Sequence, residues 1–331
     1  TTAAVVADPS VHCVSEGTEH ENSTHLLQLA ASHPRAAAPG LELEPMDAKS
    51  KAIRLERALP IAWFHPPKCG SSLSNFLIHL PGVCPDLPQD LVITAATFGA
   101  EHLKALKYDV LNVNRSGACG DHWFHWGHHD GIGENWEPHY KGHSFTMLRQ
   151  PEQRILSGYH WGLHSWWRNY TPANELEYAE AVQGCAVRMF ARGGKQEDEV
   201  CGGGTGGPAS WAEVGVAIHR LRTGFVFVGL TDEWPLSMCL GHRMFGGRCR
   251  ESDFVDGRIT DRKARSQALV GRTGVVTKSM TYNTSVLHGF RDPYDGALYE
   301  VAQDIFRDEM ERFGVSVSSC QPCFDEAGIS L

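Results

Sequence analysis

No stretch of 18 consecutive apolar residues occurs in the sequence, which excludes a helix able to cross a bilayer within it. Positive charge is also in short supply. Thirty Lys and Arg face 39 Asp and Glu, a formal net charge of −9. That balance argues against a nucleic-acid partner bound through a general basic surface and leaves room only for a local basic pocket. No internal repeat of fixed period is present, so a solenoid or propeller is not expected. The composition excludes a disordered chain, a collagen and a coiled coil. Three chemical signatures are missing as well: a G-x-x-x-x-G-K-[S/T] loop, an H-E-x-x-H helix, and a second C-x-x-C to match Cys320-Gln321-Pro322-Cys323.

The 331 residues are 42% hydrophobic and 21% charged, enough for one large domain or two small ones. Asparagine is scarce, yet four of its eight copies (Asn22, Asn114, Asn169 and Asn283) stand in N-x-[S/T] sequons. Ordinary composition would give roughly one. The excess points to a glycoprotein of the secretory pathway, and ten cysteines fit an oxidising lumen. Cys320 and Cys323 are expected to tie down the tail by disulfide rather than to bind zinc. The expected compartment is the Golgi lumen or a similar one, with a membrane anchor upstream of Thr1.

Residues 1–56 are polar and lack a strong period, and they read as a stem or loosely packed leader. A single folded domain is expected over 57–331, with a flexible Gly-rich loop near 193–208. Ile61-Ala62-Trp63-Phe64 reads as a buried strand. Leu73, Phe76, Leu77 and Leu80 follow at helical spacing. A second strand–helix unit runs from Ser144–Leu148 into a helix opened by Pro151. A third strand covers 224–229, with a helix from about Glu233 to Phe245. A last helix runs from about Tyr294 to Phe313. Strands alternating with helices imply an α/β fold with a parallel sheet covered on both faces. In such sheets ligands bind at the carboxyl ends of the strands.

Two strand ends carry chemistry. In Pro66-Pro67-Lys68-Cys69-Gly70-Ser71-Ser72-Leu73, Gly70 permits close approach of the backbone to an anion. Ser71 and Ser72 add hydroxyls, and Lys68 adds a positive charge. An ordinary strand–helix turn capped by Ser71 is the plain alternative. In the segment 144–160, Arg149 stands at the strand end and Ser157 two turns into the helix, a second anion site built on a fork-shaped donor. Two anion sites on adjacent strand ends suit a ligand with two phosphate groups.

These segments resemble the PAPS-dependent sulfotransferases, in particular the Golgi-type carbohydrate branch. Residues 67–73 look like that family's P-K-x-G-[S/T]-[S/T]-L loop, which holds the 5′-phosphosulfate. Residues 145–159 look like its F-x-x-L-R-D-P-x-x-R-x-x-S-x-Y segment, with Gln150 in place of the usual Asp. Phe227-Val228-Gly229-Leu230-Thr231-Asp232-Glu233 looks like its F-V-G-L-T-E stretch. The resemblance covers roughly residues 60–245. It implies a P-loop-NTPase-like three-layer fold and transfer of the sulfonate of PAPS (3′-phosphoadenosine 5′-phosphosulfate) to a hydroxyl-bearing acceptor, a carbohydrate or small molecule. The product is adenosine 3′,5′-bisphosphate. It assigns nucleotide binding to Lys68, Cys69, Gly70, Ser71, Ser72, Leu73, Arg149 and Ser157. A neutral acceptor is favoured by the acidic net charge.

Six histidines fall between positions 122 and 143. Sulfuryl transfer needs a base for the acceptor proton, and imidazole titrates near neutrality. In the family a Gly-His pair precedes the Arg segment, which makes His128 of Gly127-His128 the expected base, with His129 and then His125 in reserve. Lys68 is expected to act catalytically too, by stabilising charge on the leaving oxygen. A zinc site on His122, His125, His128 and His129 is disfavoured by their spacing, and no metal is expected. Trp161, Trp166 and Trp167 suit either acceptor stacking or packing. The basic run around Arg262, Lys263 and Arg265 suits a solvated loop or one that closes on the nucleotide. Two other readings stay open: a phosphotransferase on a related fold, and an inactive glycan-binding relative.

Overall fold

The computed structural model describes residues 44, 46–93, 119, 122–124, 129–166, 169–194, 200–201, 207–254 and 281–330. Its elements, in order, are helix α1 (Ala48–Ala58), strand β1 (Ile61–Trp63), α2 (Leu73–Ile78), β2 (Trp123–Phe124), β3 (Gly131–Ile132), β4 (Ser144–Leu148), α3 (Pro151–His160), α4 (Glu175–Val182), α5 (Cys185–Ala191), β5 (Gly193–Gly194), α6 (Trp211–Gly224), β6 (Phe225–Leu230), α7 (Trp234–Phe245), α8 (Pro293–Arg312) and α9 (Val317–Ala327).

The fold is α/β, built on a small parallel sheet of order β2-β1-β4-β6. Register places Trp63 beside Phe145, and Phe145 beside Phe227. Every residue of β1 and β4 is buried, as expected of strands covered on both faces. Helices α6, α7 and α8 pack on β6, and α5 packs on α6 and α8. A two-stranded antiparallel ribbon, β3 with β5, lies apart from this sheet.

Element bounds follow local chemistry. Pro151 stands in the first turn of α3, and Gln150 caps that helix by accepting a hydrogen bond from the Gln153 amide (2.8 Å). The position that departs from the family's Asp therefore still caps the helix. Helix α6 opens with a reciprocal capping box between Ser210 and Glu213. Five helices were absent from the sequence reading: α1, α4, α5, α6 and α9. Helix α1 lies mostly within the stretch read as a leader, and it is anchored by Leu55 and by Arg54, whose Nε donates to the Met244 carbonyl (2.8 Å).

Four disulfides join Cys84 to Cys119, Cys185 to Cys201, Cys239 to Cys320 and Cys249 to Cys323. The tail is tied down as expected, by two bridges that run from α9 to α7 and to the segment just after it. Disulfides in this number are consistent with a secreted or lumenal protein. Among the described residues no helix is long and apolar enough to cross a membrane. Of the four sequons, Asn169 and Asn283 are exposed, and Asn22 and Asn114 lie outside the described residues.

Behind β4, three helices meet at a buried polar junction. Arg154 of α3 pairs with Asp295 of α8 at 3.2 Å, both almost fully buried. Burial disfavours the charge on Arg154, but Asp295 and neighbouring groups outweigh it and hold its pKa above the ordinary arginine value. The Asp295 carboxylate accepts hydrogen bonds from the amides of Ala186 (3.1 Å) and Val187 (2.9 Å), and Asp292 accepts one from Gly184 (2.8 Å). The open amides at the start of α5 are thus capped by carboxylates of α8. Glu152 of α3 closes the set by accepting from the Asp292 amide (3.0 Å).

Asp295→Ala should destabilise the protein by about 3–5 kcal/mol, because it strands a buried guanidinium and two buried amides. Urea unfolding measures this loss. Adding Arg154→Met should recover part of it.

Candidate functional site

The segment 64–72 leaves the carboxyl end of β1 and turns sharply into α2. Phe64 donates its amide to the Phe145 carbonyl (3.0 Å), and the Cys69 amide reaches back to Pro66 (3.2 Å). Lys68 at φ 64° and Gly70 at φ 83° both adopt left-handed backbone, so the chain folds into a cup. A side chain at position 70 would place Cβ 2.7 Å from the Trp234 ring. Trp234 is itself fixed by donating Nε1 to the Asp253 carbonyl (2.8 Å). Only glycine satisfies both the φ and this approach.

The first amides given to α2 are those of Leu73, Ser74 and Asn75, which donate to Gly70, Ser71 and Ser72. The amides of Gly70 and Ser71 meet no acceptor among the described residues. Ser72 makes no cap bond to α2. The Ser71 hydroxyl lies 3.4 Å from His65 Nε2 instead of capping the helix. The plain alternative of a Ser71-capped turn is therefore not what forms. Cys69 and Leu73, counted among the ligand residues, are 1% and 0% exposed, and their amides already donate to the Pro66 and Gly70 carbonyls.

The second loop stands on the neighbouring strand. Arg149 leaves the end of β4, and its Nη1 lies 3.5 Å from the Lys68 carbonyl. Its guanidinium carbon is 5.7 Å from the centre of the Tyr282 ring. Ser157 is buried on α3, and its hydroxyl makes no hydrogen bond to another described residue. The Lys68 ammonium lies 4.6 Å from the centre of the Trp161 ring. On the third strand end, Thr231 packs by its methyl group toward Gly70, and its buried hydroxyl has no partner among the described residues. Cationic side chains, open amides and idle hydroxyls around the ends of adjacent parallel strands form a donor set that fits phosphate or sulfonate groups.

Below the cup lies a small cavity lined by Cys69, Arg149, Arg154, Asp295 and Tyr299. Burial pushes the Cys69 thiol up to about 12, against the opposing pull of Arg154 and Arg149. Cys69 is the one cysteine among the described residues outside a disulfide.

The expected base, His128, and the third choice, His125, lie outside the described residues. His129 is described. It is 3% exposed, adopts φ 69°, and packs its ring 4.8 Å from His65 and 5.4 Å from His164. His65 also stacks on Trp63 at 4.7 Å. Neither His65 nor His164 was picked out from sequence. The one local signal was that His65 precedes the Pro-Pro-Lys loop directly. Among the described residues no group of three His, Cys, Asp or Glu side chains is placed to hold a metal ion. His122 instead contacts the Gly82 carbonyl through Nδ1 (2.7 Å). Trp166 belongs to the packing around α3 and α4 and donates its indole N–H to the Tyr170 carbonyl (2.6 Å). Trp167, the basic run of 258–272 and residues 202–206 of the Gly-rich loop lie outside the described residues. The loop's far end, at Gly207 and Pro208, is held through its carbonyls by Arg188 and Arg192.

The buried thiol makes a test. Iodoacetamide at pH 8 should label Cys69 in the native protein on the order of a hundredfold more slowly than in urea, read by peptide mass spectrometry. The folded-state pKa lies above the unfolded one. Its contribution to stability is therefore complete below pH 9 and declines as the pH rises from about 9 toward 12. No family model matches the chain, and neither a curated protein nor a solved structure is similar to it at a significant level.

Proposed function

We propose that the protein is a PAPS-dependent O-sulfotransferase with a P-loop-like three-layer domain, working in the Golgi lumen. The observation that carries this reading is the meeting of the two strand-end loops. Lys68 and Arg149 belong to adjacent parallel strands, and the Arg149 guanidinium touches the Lys68 backbone. A molecule with phosphates at two ends can engage both at once. The amides of Gly70 and Ser71 and the hydroxyl of Ser157, which meet no acceptor among the described residues, support the same reading.

When bound, PAPS supplies an activated sulfonate, which passes to the acceptor oxygen as the bond from sulfur to the phosphate oxygen breaks. The remaining work falls to side chains of this chain. The cup of residues 68–72 holds the 5′ end through its amides and hydroxyls. Arg149 and Ser157 hold the 3′-phosphate. Lys68 offsets the negative charge that grows on the leaving oxygen. His128 takes the proton of the acceptor hydroxyl. The acceptor is a glycan or a small alcohol.

Titration with adenosine 3′,5′-bisphosphate tests the site directly. Lys68→Ala and Arg149→Ala should each weaken binding by about tenfold to a hundredfold, the worth of one charge-assisted contact. Unchanged affinity in both variants would remove the assignment. A chain that bound ATP in preference to the bisphosphate would be a phosphotransferase instead. His128→Ala should bind the bisphosphate normally and lose sulfonate transfer from radiolabelled PAPS by a factor of about a hundred or more. A wild-type protein that binds but transfers to no glycan or alcohol would be an inactive relative.

A further inference from the structure

Both cations assigned to the nucleotide rest on aromatic rings, one just past the end of α3 and one hydrogen-bonded to its flank. Trp161 follows the last residue of α3, and its ring lies under the Lys68 ammonium at 4.6 Å. Tyr282 comes from a distant segment but is clamped to the flank of α3. Gln153 donates Nε2 to the Tyr282 carbonyl (3.0 Å), and the Tyr282 amide donates to Gln153 Oε1 (2.7 Å). The His160 ring stacks on the Tyr282 ring at 5.2 Å, with 13° between the planes. The Arg149 guanidinium lies 5.7 Å from the same ring.

The electrostatics explain why rings suit these places. Arg149 reaches the Lys68 carbonyl, so two positive side chains are gathered around one small loop. An aromatic face attracts a cation through its quadrupole and leaves the full charge in place. A carboxylate in the same position would neutralise the cation and compete with an incoming phosphate. Lys68 also holds left-handed backbone, which fixes the direction in which its side chain leaves the cup.

We propose that Trp161 and Tyr282 are positioning residues, aromatic seats that hold Lys68 and Arg149 in place for the two phosphate groups of the nucleotide. This inference rests on the nucleotide reading above. Because both seats are attached to α3, one at its end and one through Gln153, that helix relates the positions of the two cations.

The experiment compares Trp161→Leu with Trp161→Phe, and Tyr282→Leu with Tyr282→Phe, in the full chain, with thermal midpoints as the check on folding. Each Leu variant should weaken binding of adenosine 3′,5′-bisphosphate by roughly twofold to thirtyfold, whereas each Phe variant should stay within about threefold of wild type. In a Lys68→Ala background, Trp161→Leu should cost less than about twofold more, and Tyr282→Leu should behave alike in Arg149→Ala. Additive losses, or Phe variants as weak as Leu variants, overturn the proposal. Acetylation of Lys68 by acetic anhydride at pH 8, read by mass spectrometry without nucleotide, gives a separate measure. Trp161→Leu should speed it severalfold, because the ring covers the ammonium. If wild type does not bind the bisphosphate, the nucleotide reading falls. The Lys68 seat then stands on faster acetylation in Trp161→Leu and falls if the rate is unchanged.

Discussion

The ion pair between Arg154 and Asp295 lies beneath both loops, and the geometry above it depends on that contact. Two charges removed from water are tolerable only when nearly every polar atom around them is engaged. Here the carboxylate also receives two amides of α5, and one guanidinium nitrogen also reaches the Val182 carbonyl (3.3 Å). Helix α3 is thereby locked to α5 and α8. Its first turn follows directly on Arg149, and its far end leads to Trp161. A helix free to slide by half a turn would carry the cationic loop and the aromatic ring to different places.

The parallel sheet was legible because its strands are continuous apolar runs. Ile61–Phe64 and Ser144–Leu148 sit between turn-forming residues and are followed by helical spacing. Burial on both faces requires such runs, so pattern and structure agree to within a residue or two. The loop residues Lys68, Gly70 and Arg149 were legible for a related reason. A cationic or flexible residue just past a buried strand has a restricted set of places to go. What stayed hidden depends on long-range partners. The clamp from Gln153 to Tyr282 spans 129 residues, and no local period announces it. Asp292 and Asp295 look like an ordinary acidic start to a helix, and Asp292 does cap α8, yet both also cap a different helix. Helix α1 was hidden by its polar surface. Leu55 and Ala58 are its only buried residues, too few to stand out in a polar stretch.

Scaffold and chemistry are divided along the chain. Residues that brace the site, namely Arg154, Asp292, Asp295, Glu152 and Gln153, are paired with the protein itself. Several groups around the cup, the amides of Gly70 and Ser71 and the hydroxyls of Ser157 and Thr231, meet no acceptor among the described residues. Buried polar groups are ordinarily satisfied, and in the proposed reaction these donors receive oxygen atoms of an anion without rearrangement of the protein.

The order in which the cysteines are synthesised has a consequence for biogenesis. Cys239 and Cys249 are made long before their partners, which lie 81 and 74 residues further along. Until α9 leaves the ribosome, both thiols stand unpaired, ten positions apart and able to bond to each other. Eight paired cysteines allow on the order of a hundred arrangements. A nascent Cys239–Cys249 bond, if formed, would have to be exchanged by thiolate attack before Cys320 and Cys323 could take their places, so an isomerising thiol would speed maturation.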